Sequence, residues 1–275
     1  MRSDDLINWE TSTVHFPTRY AGTYFANVTR VWAPETIYDP VAGKYMIYFS
    51  ILTNDGKVPY DKVFYAYANE DFTDLEGTPT YFYDRGSATI DMNIVYNEND
   101  SLYHAVYKNE GSGGICQVTA TTLTPPDGAP EGSQWSAPSG TLQQTTEAVE
   151  GAGIFRLIDS DDWILMYDCY SNGHYQFCSS PDLVNFTFRK NTATSGSFTP
   201  RHGTVIPITE SEYQLLLKLP YTTGINNLPN ARSKAACSDQ SASSYNKVLH
   251  GSQIVITPAH GSSAAAYDIS GRRIK

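Results

Sequence analysis

Long apolar runs are missing from this sequence. No stretch approaches the roughly 18 uninterrupted apolar residues of a membrane-spanning helix, so a helical span is excluded. Cationic side chains are scarce, with 19 Lys and Arg against 29 Asp and Glu and a net charge of −10. No basic stripe exists to meet phosphates, which argues against a nucleic-acid partner. Cysteine is rare too: the four are Cys116, Cys169, Cys178 and Cys237, none at the CxxC spacing of a zinc site. A two-residue turn at Asn172-Gly173 would set Cys169 opposite Gln176 and leave Cys178 on the diagonal. A Cys169–Cys178 disulfide therefore stays open, with two buried thiols as the expected state. Helical periodicity is nearly absent, and "MRSDDLINWE" shows no secretory leader.

What is abundant is strand. The 275 residues are 40% hydrophobic and 13% aromatic, with 20 Tyr against 11 Phe. A sizeable core is affordable, and many rings should be half-buried with wet hydroxyls, as on carbohydrate-binding surfaces. Runs rich in Tyr, Ile, Val and Phe recur between Gly, Asn, Asp and Pro. "GKYMIYFS" (43–50), "SLYHAVYK" (101–108), "DWILMYDC" (162–169) and "EYQLLLKL" (212–219) form one set. Each follows another strand: "WAPETIYD" (32–39), "DMNIVYN" (91–97), "EGAGIFRL" (150–157) and "HGTVIPIT" (202–209). A shared corner appears as "SDDLINW" (3–9), "NEDFTDL" (69–75) and "SPDLVNF" (181–187). The blocks have the length of a four-stranded propeller blade.

Aligning the first strands on Ile37, Val95, Ile154 and Ile206 superposes Ala33, Asp91, Glu150 and His202, four residues upstream. In a propeller the first strands line the central channel, so Asp91, Glu150 and His202 should converge at one depth. Paired carboxylates around a cavity are the apparatus of glycoside hydrolysis. Glu150, among the small and apolar residues of "AVEGAG", suits a carboxylic acid that must carry a proton. Asp91 suits a charged neighbour that tunes it. His202 is a hydrogen-bond donor or reaches an ion in the channel. Trp32, beside the ring position Ala33, is expected at the funnel mouth, where it would stack on a sugar.

"SDDLINW", "VWAPETIYDPVAGKYMIYFS", "IDMNI", "AVEGAG" and "PRHGTVIPI" resemble glycoside hydrolase family 43, over roughly residues 3–217. The resemblance implies an all-β, five-bladed β-propeller that inverts configuration, and it leans toward arabinanases and α-L-arabinofuranosidases. It implies Glu150 as general acid and Asp91 as the residue that orients it and tunes its proton affinity. It also implies calcium in the channel near His202; a hard cation prefers oxygens and waters, so His202 is expected to reach it through a bound water. A β-xylosidase and a non-catalytic carbohydrate-binding propeller are the alternatives, because the family's general-base aspartate on the first strand of blade one is not found. Asp4 and Asp5 sit in the outer corner, Asp39 at the wrong end of its strand, and Asp168 on a second strand. Blade one is thus expected to be incomplete at the N-terminus, its exposed edges inviting a homo-oligomer. The propeller is expected over 1–221 and a linker and tail over 222–275. There "YDISGRR" resembles a Bacteroidetes-type C-terminal sorting domain, implying a secreted or cell-surface protein.

Overall fold

The computed structural model describes residues 1–111, 113–193 and 201–218, together with the backbone of four short strands beyond them. It divides into two compact units. One comprises Thr11–Phe155 and Asp162–Thr204; the other comprises Met1–Glu10, Arg156–Asp161 and Val205–Lys275.

The larger unit begins with a short helix, α1 (Phe16–Arg19), and a 3₁₀ turn (Tyr24–Asn27). Three antiparallel sheets follow. The first contains β1 (Val28–Asp39), β2 (Lys44–Thr53), β3 (Lys62–Tyr67) and β4 (Thr80–Tyr83), in that spatial order. The second contains β5 (Thr89–Asn97), β6 (Leu102–Asn109) and β7 (Gly114–Ala120). The third contains β8 (Glu150–Arg156), β9 (Trp163–Cys169), β10 (His174–Ser180) and β11 (Thr187–Ala193). Each is a meander, as up-and-down strands joined by short turns must be.

The sheets stack face to face. Met46, Tyr48 and Val63 of the first pack on Met92, Ile94, Ala105 and Tyr107 of the second. Val106 and Ile115, on the opposite face of the second, pack on Ile154, Leu165 and Tyr167 of the third. The period-2 alternation of β6 thus serves two cores, which is why its residues after Leu102 are all buried. The outer face of the first sheet, with Phe49, Ile51 and Phe64, is covered by Phe16, Tyr20 and Phe25.

Five closed blades are not what the described residues form. They make three sheets of three or four strands, plus two-stranded pairs. Two of the expected strands are not strands. "HGTVIPIT" has no regular structure, and "EYQLLLKL" overlaps a helix, α2 (Glu210–Leu217), in the smaller unit. The reason is local. Thr209 and Glu212 form a reciprocal capping box, with the Thr209 side chain accepting from the Glu212 N–H and the Glu212 carboxylate accepting from the Thr209 N–H. Tyr213 and Leu216, three apart, then face Ile208, Leu6 and Ile7. Beyond it, β12 (Tyr245–His250) pairs with β13 (Gln253–Pro258), and β14 (Ala266–Tyr267) with β15 (Arg273–Ile274). The expected linker and Cys237 lie outside the described residues.

The repeated corners do recur in three dimensions. Asp5 accepts the Ile7 and Asn8 N–H groups and the Asn8 amide; Asp182 accepts the same three bonds from Val184 and Asn185. Leu6, Phe72 and Leu183 all take a positive φ, near 60°. The N–H donors hold the Asp5 carboxyl down at about 2 and depress Asp182 likewise.

The sheets are joined by side chains reaching beneath a neighbour's first strand. The Tyr48 hydroxyl accepts the Ile94 N–H at 3.1 Å, and Asn93 Oδ1 accepts the Ile154 N–H at 2.9 Å. Ser50 donates to the Thr89 carbonyl at 3.0 Å. Tyr48→Phe keeps the ring but orphans a buried N–H, so it should cost about 1–3 kcal/mol. Urea unfolding checks this; an unchanged midpoint would show that the inter-sheet bond contributes nothing.

Candidate active site

β1 and β5 each carry a bulge at the same relative place. The β1–β2 register slips between Trp32 and Glu35, and the β5–β6 register between Ile90 and Asn93. Inside each slip sits a non-glycine residue in the left-handed region, Ala33 at φ 46° and Asp91 at φ 53°. Gly151 (61°) and His202 (58°) share that conformation. The three non-glycine residues among them cost about 1–2 kcal/mol each and persist only where the surroundings hold them. All four line one small cavity, together with Glu35, Met92, Ala152 and Gly203. Its volume is about 30 Å³, room for a water but not for a sugar ring.

The common conformation also shows where the sequence alignment slipped. In the third sheet the position equivalent to Ala33 and Asp91 is Gly151, not Glu150. A Cβ there would lie 2.5 Å from the His202 ring, so close approach as well as φ requires glycine. Glu150, one residue earlier, still reaches the same place.

The structure brings Asp91, Glu150 and His202 together, with donor atoms of all three within 4.8 Å of one another. Asp91 is buried. One of its oxygens accepts the Gly151 N–H at 2.9 Å, and the other lies 3.8 Å from His202 Nδ1. Burial raises its carboxyl above the ordinary value; the His202 ring and the Gly151 N–H oppose this, and Glu150 adds to it. His202 Nε2 lies 3.2 Å from Glu150 Oε1. Glu150 is also ion-paired with Arg201, whose Nε donates to the buried Asp168 at 2.6 Å. Asp168 therefore reaches the site through Arg201, although it stands on a second strand. Asp39 is buried at the far end of β1, accepting from the Tyr67 hydroxyl and the Val41 N–H.

Trp32 is not a core residue. It is 44% exposed, and the Arg30 guanidinium lies 4.0 Å from its ring centroid, itself ion-paired with Asp61. Ala33, next to it, lines the cavity.

Sequence reasoning passed over Glu35. The bulge of β1 turns it into the cavity, where burial pushes its carboxyl up to about 7 against bonds from Thr204 and Asn93. The available signal was its place two residues beyond Ala33, inside the same aligned strand.

A channel calcium fits this donor set poorly. Calcium takes about 6–8 oxygens. Here two carboxylates and one imidazole converge, with a guanidinium already on Glu150 and an N–H on Asp91.

Two carboxylates and a histidine thus meet beside the first strands of the second and third antiparallel sheets. A family model described as "Probable glycosyl hydrolase domain", related to glycoside hydrolase family 43, matches residues 1–214, and the chain belongs to that family. No curated protein matches it. Similar solved structures include a GH62 hydrolase in complex with xylotriose (TM-score 0.45, 13% identity, 63% of this chain and 53% of that one). A thermostable family-43 glycoside hydrolase gives 0.45, 17%, 64% and 61%. An exo-β-1,3-galactanase from Phanerochaete chrysosporium with galactose gives 0.47, 15%, 64% and 39%. The chain thus spans between 39% and 61% of the lengths of these three structures.

Glu35 makes a pH prediction. Its folded value of about 7 exceeds its ordinary value of 4.5, so the fold binds the extra proton more tightly. The resulting stabilisation is complete below about pH 4.5 and is lost as pH rises through about 7. Asp91, also raised, acts with the same sign. Urea unfolding should therefore show a smaller loss of stability between pH 5 and pH 8 in Glu35→Gln than in the wild type. Identical losses would refute the buried, protonated Glu35.

Proposed function

We propose that the chain hydrolyses α-L-arabinofuranosyl linkages, in arabinan or arabino-oligosaccharides, with inversion. The observation that carries the reading is the convergence of Asp91, Glu150 and His202, of which Asp91 and His202 line a cavity that Glu35 also lines. Glu150 is the general acid. It must leave Arg201 to protonate the departing oxygen, and Asp168 gives Arg201 a second partner to stay on. Asp91 is a positioning residue. Its carboxylate accepts the Gly151 N–H and faces His202, which fixes it beside Glu150.

Glu35 takes the role for which the sequence offered no aspartate. With a value near 7 it exchanges protons close to neutrality, as a general base must, and the water-sized cavity it lines suits an attacking water. An inverting pair stands about 6.5–9.5 Å apart to admit that water. No step requires a metal.

One observation favours a second reading, a carbohydrate-binding propeller without turnover. The Arg201 guanidinium bound to Glu150 is also what a site uses to fix a carboxylate as a hydrogen-bond acceptor for sugar hydroxyls.

Glu150→Gln separates the two. General acid catalysis is worth about 10²–10⁴, so turnover of natural oligosaccharides should fall by that factor. Aryl glycosides, whose leaving groups need little protonation, should lose far less. Equal losses on both would exclude the acid role, and a wild type that binds without releasing sugar would establish the binding reading.

Substrate class is tested by sugar release from debranched arabinan against a xylan control, with Trp32→Ala alongside. Arabinose release is expected, with KM raised by the tryptophan variant and Tm nearly unchanged, since Trp32 is exposed. Release from xylan alone would make the enzyme a xylosidase.

A further inference from the structure

Away from the cavity, a second group of side chains converges at the turn joining β9 to β10. Cys169 and His174 are a directly opposed cross-strand pair, the last residue of β9 and the first of β10. They bracket a four-residue turn, Tyr170–Gly173, closed by a bond from the Asn172 N–H to the Cys169 carbonyl at 2.9 Å. Opposed residues present their side chains on one face with Cβ atoms about 5 Å apart. Glu147, in the segment leading into β8, reaches the same face. The Cys169 Sγ, a His174 ring nitrogen and a Glu147 carboxylate oxygen all lie within 4.8 Å of one another.

The group is enclosed but reachable. Cys169 is fully buried, while the side chains of His174 and Glu147 are 17% and 28% exposed. His174 Nε2 is buried and has no hydrogen-bond partner, although it points toward Glu147 Oε2 at 3.5 Å. A buried imidazole nitrogen without a partner is costly, and native structures seldom leave one. Glu147 is held in place, its Oε2 accepting from the Asn172 side chain, which leaves Oε1 for a further ligand, and its N–H donating to Thr145 Oγ1 at 3.2 Å. That is the outer-shell support expected of a ligating carboxylate.

We propose that Glu147, Cys169 and His174 form a zinc-binding site that pins the β9–β10 turn to the segment entering β8. One sulfur, one nitrogen and one oxygen are the donor types a borderline-soft divalent ion takes, with water as the fourth ligand. A Zn–S bond forms as the Cys169 S–H bond breaks, and the proton leaves to solvent. His174 binds as the neutral ring. The clip fixes Glu147, three residues before Glu150, and so fixes the approach of β8 to the cavity.

The test uses the full chain, stripped with a chelator and titrated with zinc against a chromophoric competitor, then with cobalt(II). One equivalent should bind, Tm should rise with zinc concentration, and cobalt should give a thiolate charge-transfer band in the near ultraviolet. The band should vanish in Cys169→Ser and persist in Cys237→Ser. Glu147→Gln and His174→Gln change side chains near the surface and should each weaken zinc at least tenfold. They carry the test if loss of the buried thiol prevents folding. His202→Ala should leave binding intact, which separates this site from the cavity. Zinc affinity indifferent to Glu147→Gln and His174→Gln, or a cobalt complex lacking the thiolate band, would overturn the proposal.

Discussion

The first strand of each stacked sheet has an inner edge whose backbone N–H groups meet no further strand, and in a dry interface each must find an acceptor. The protein meets this need with side chains from the preceding sheet. Tyr48 serves Ile94, Asn93 serves Ile154, and Asp91 serves Gly151. These bonds set the stacking distance and the rotation of one sheet upon the next. The aromatic and aliphatic cores between sheets supply most of the burial energy but little direction.

Asp91 shows how structure and chemistry share one group. Its bond to the Gly151 N–H ties the second sheet to the third, and the same carboxylate faces His202 and Glu150. A residue so committed cannot swing, which is what an orienting carboxylate requires. The cost is a left-handed backbone at Asp91, repeated at Ala33 and His202. At Ala33 and Asp91 the bends sit where bulges turn the chain from sheet pairing toward the cavity, so there the strain and the site have the same cause. Gly151 is the one position of the four where a side chain would also collide, because the His202 ring lies against it.

Charge around the cavity is balanced unevenly. Glu150 and Asp168 share Arg201, Asp91 leans on His202, and Glu35 has no cation beside it among the described residues, only the dipoles of Thr204 and Asn93. Carboxyl groups that differ this much in setting can divide acid and base work between them. The three described cysteines are free and buried, and Cys169 stands opposite His174 rather than Gln176 because the turn between them has four residues, not two.

The strand runs, the turn residues and the repeated corner were legible in the sequence, because each is written in neighbours only a few positions apart. Period-2 alternation and Asn or Asp beside Gly produce meanders whatever surrounds them. The convergence of Asp91, Glu150 and His202 was legible as well, since a repeat carries equivalent residues to equivalent places. The alignment nevertheless slipped by one at Gly151, because Val95 and Ile154 are both apolar but it is Ile94 and Ile154 that hold equivalent places, each N–H capped by the preceding sheet. The helix α2 was half legible: Thr209 and Glu212 stand at capping-box spacing, but its apolar residues fit a strand equally well, and only the contacts of Tyr213 and Leu216 with Leu6 and Ile7, which the tertiary structure makes, settle which face is buried. Glu35 was hidden for a related reason. Its neighbours in sequence say nothing of the burial that raises it or of the Thr204 and Asn93 bonds that oppose the rise, and the value of a buried carboxyl belongs to what packs around it rather than to the strand that carries it.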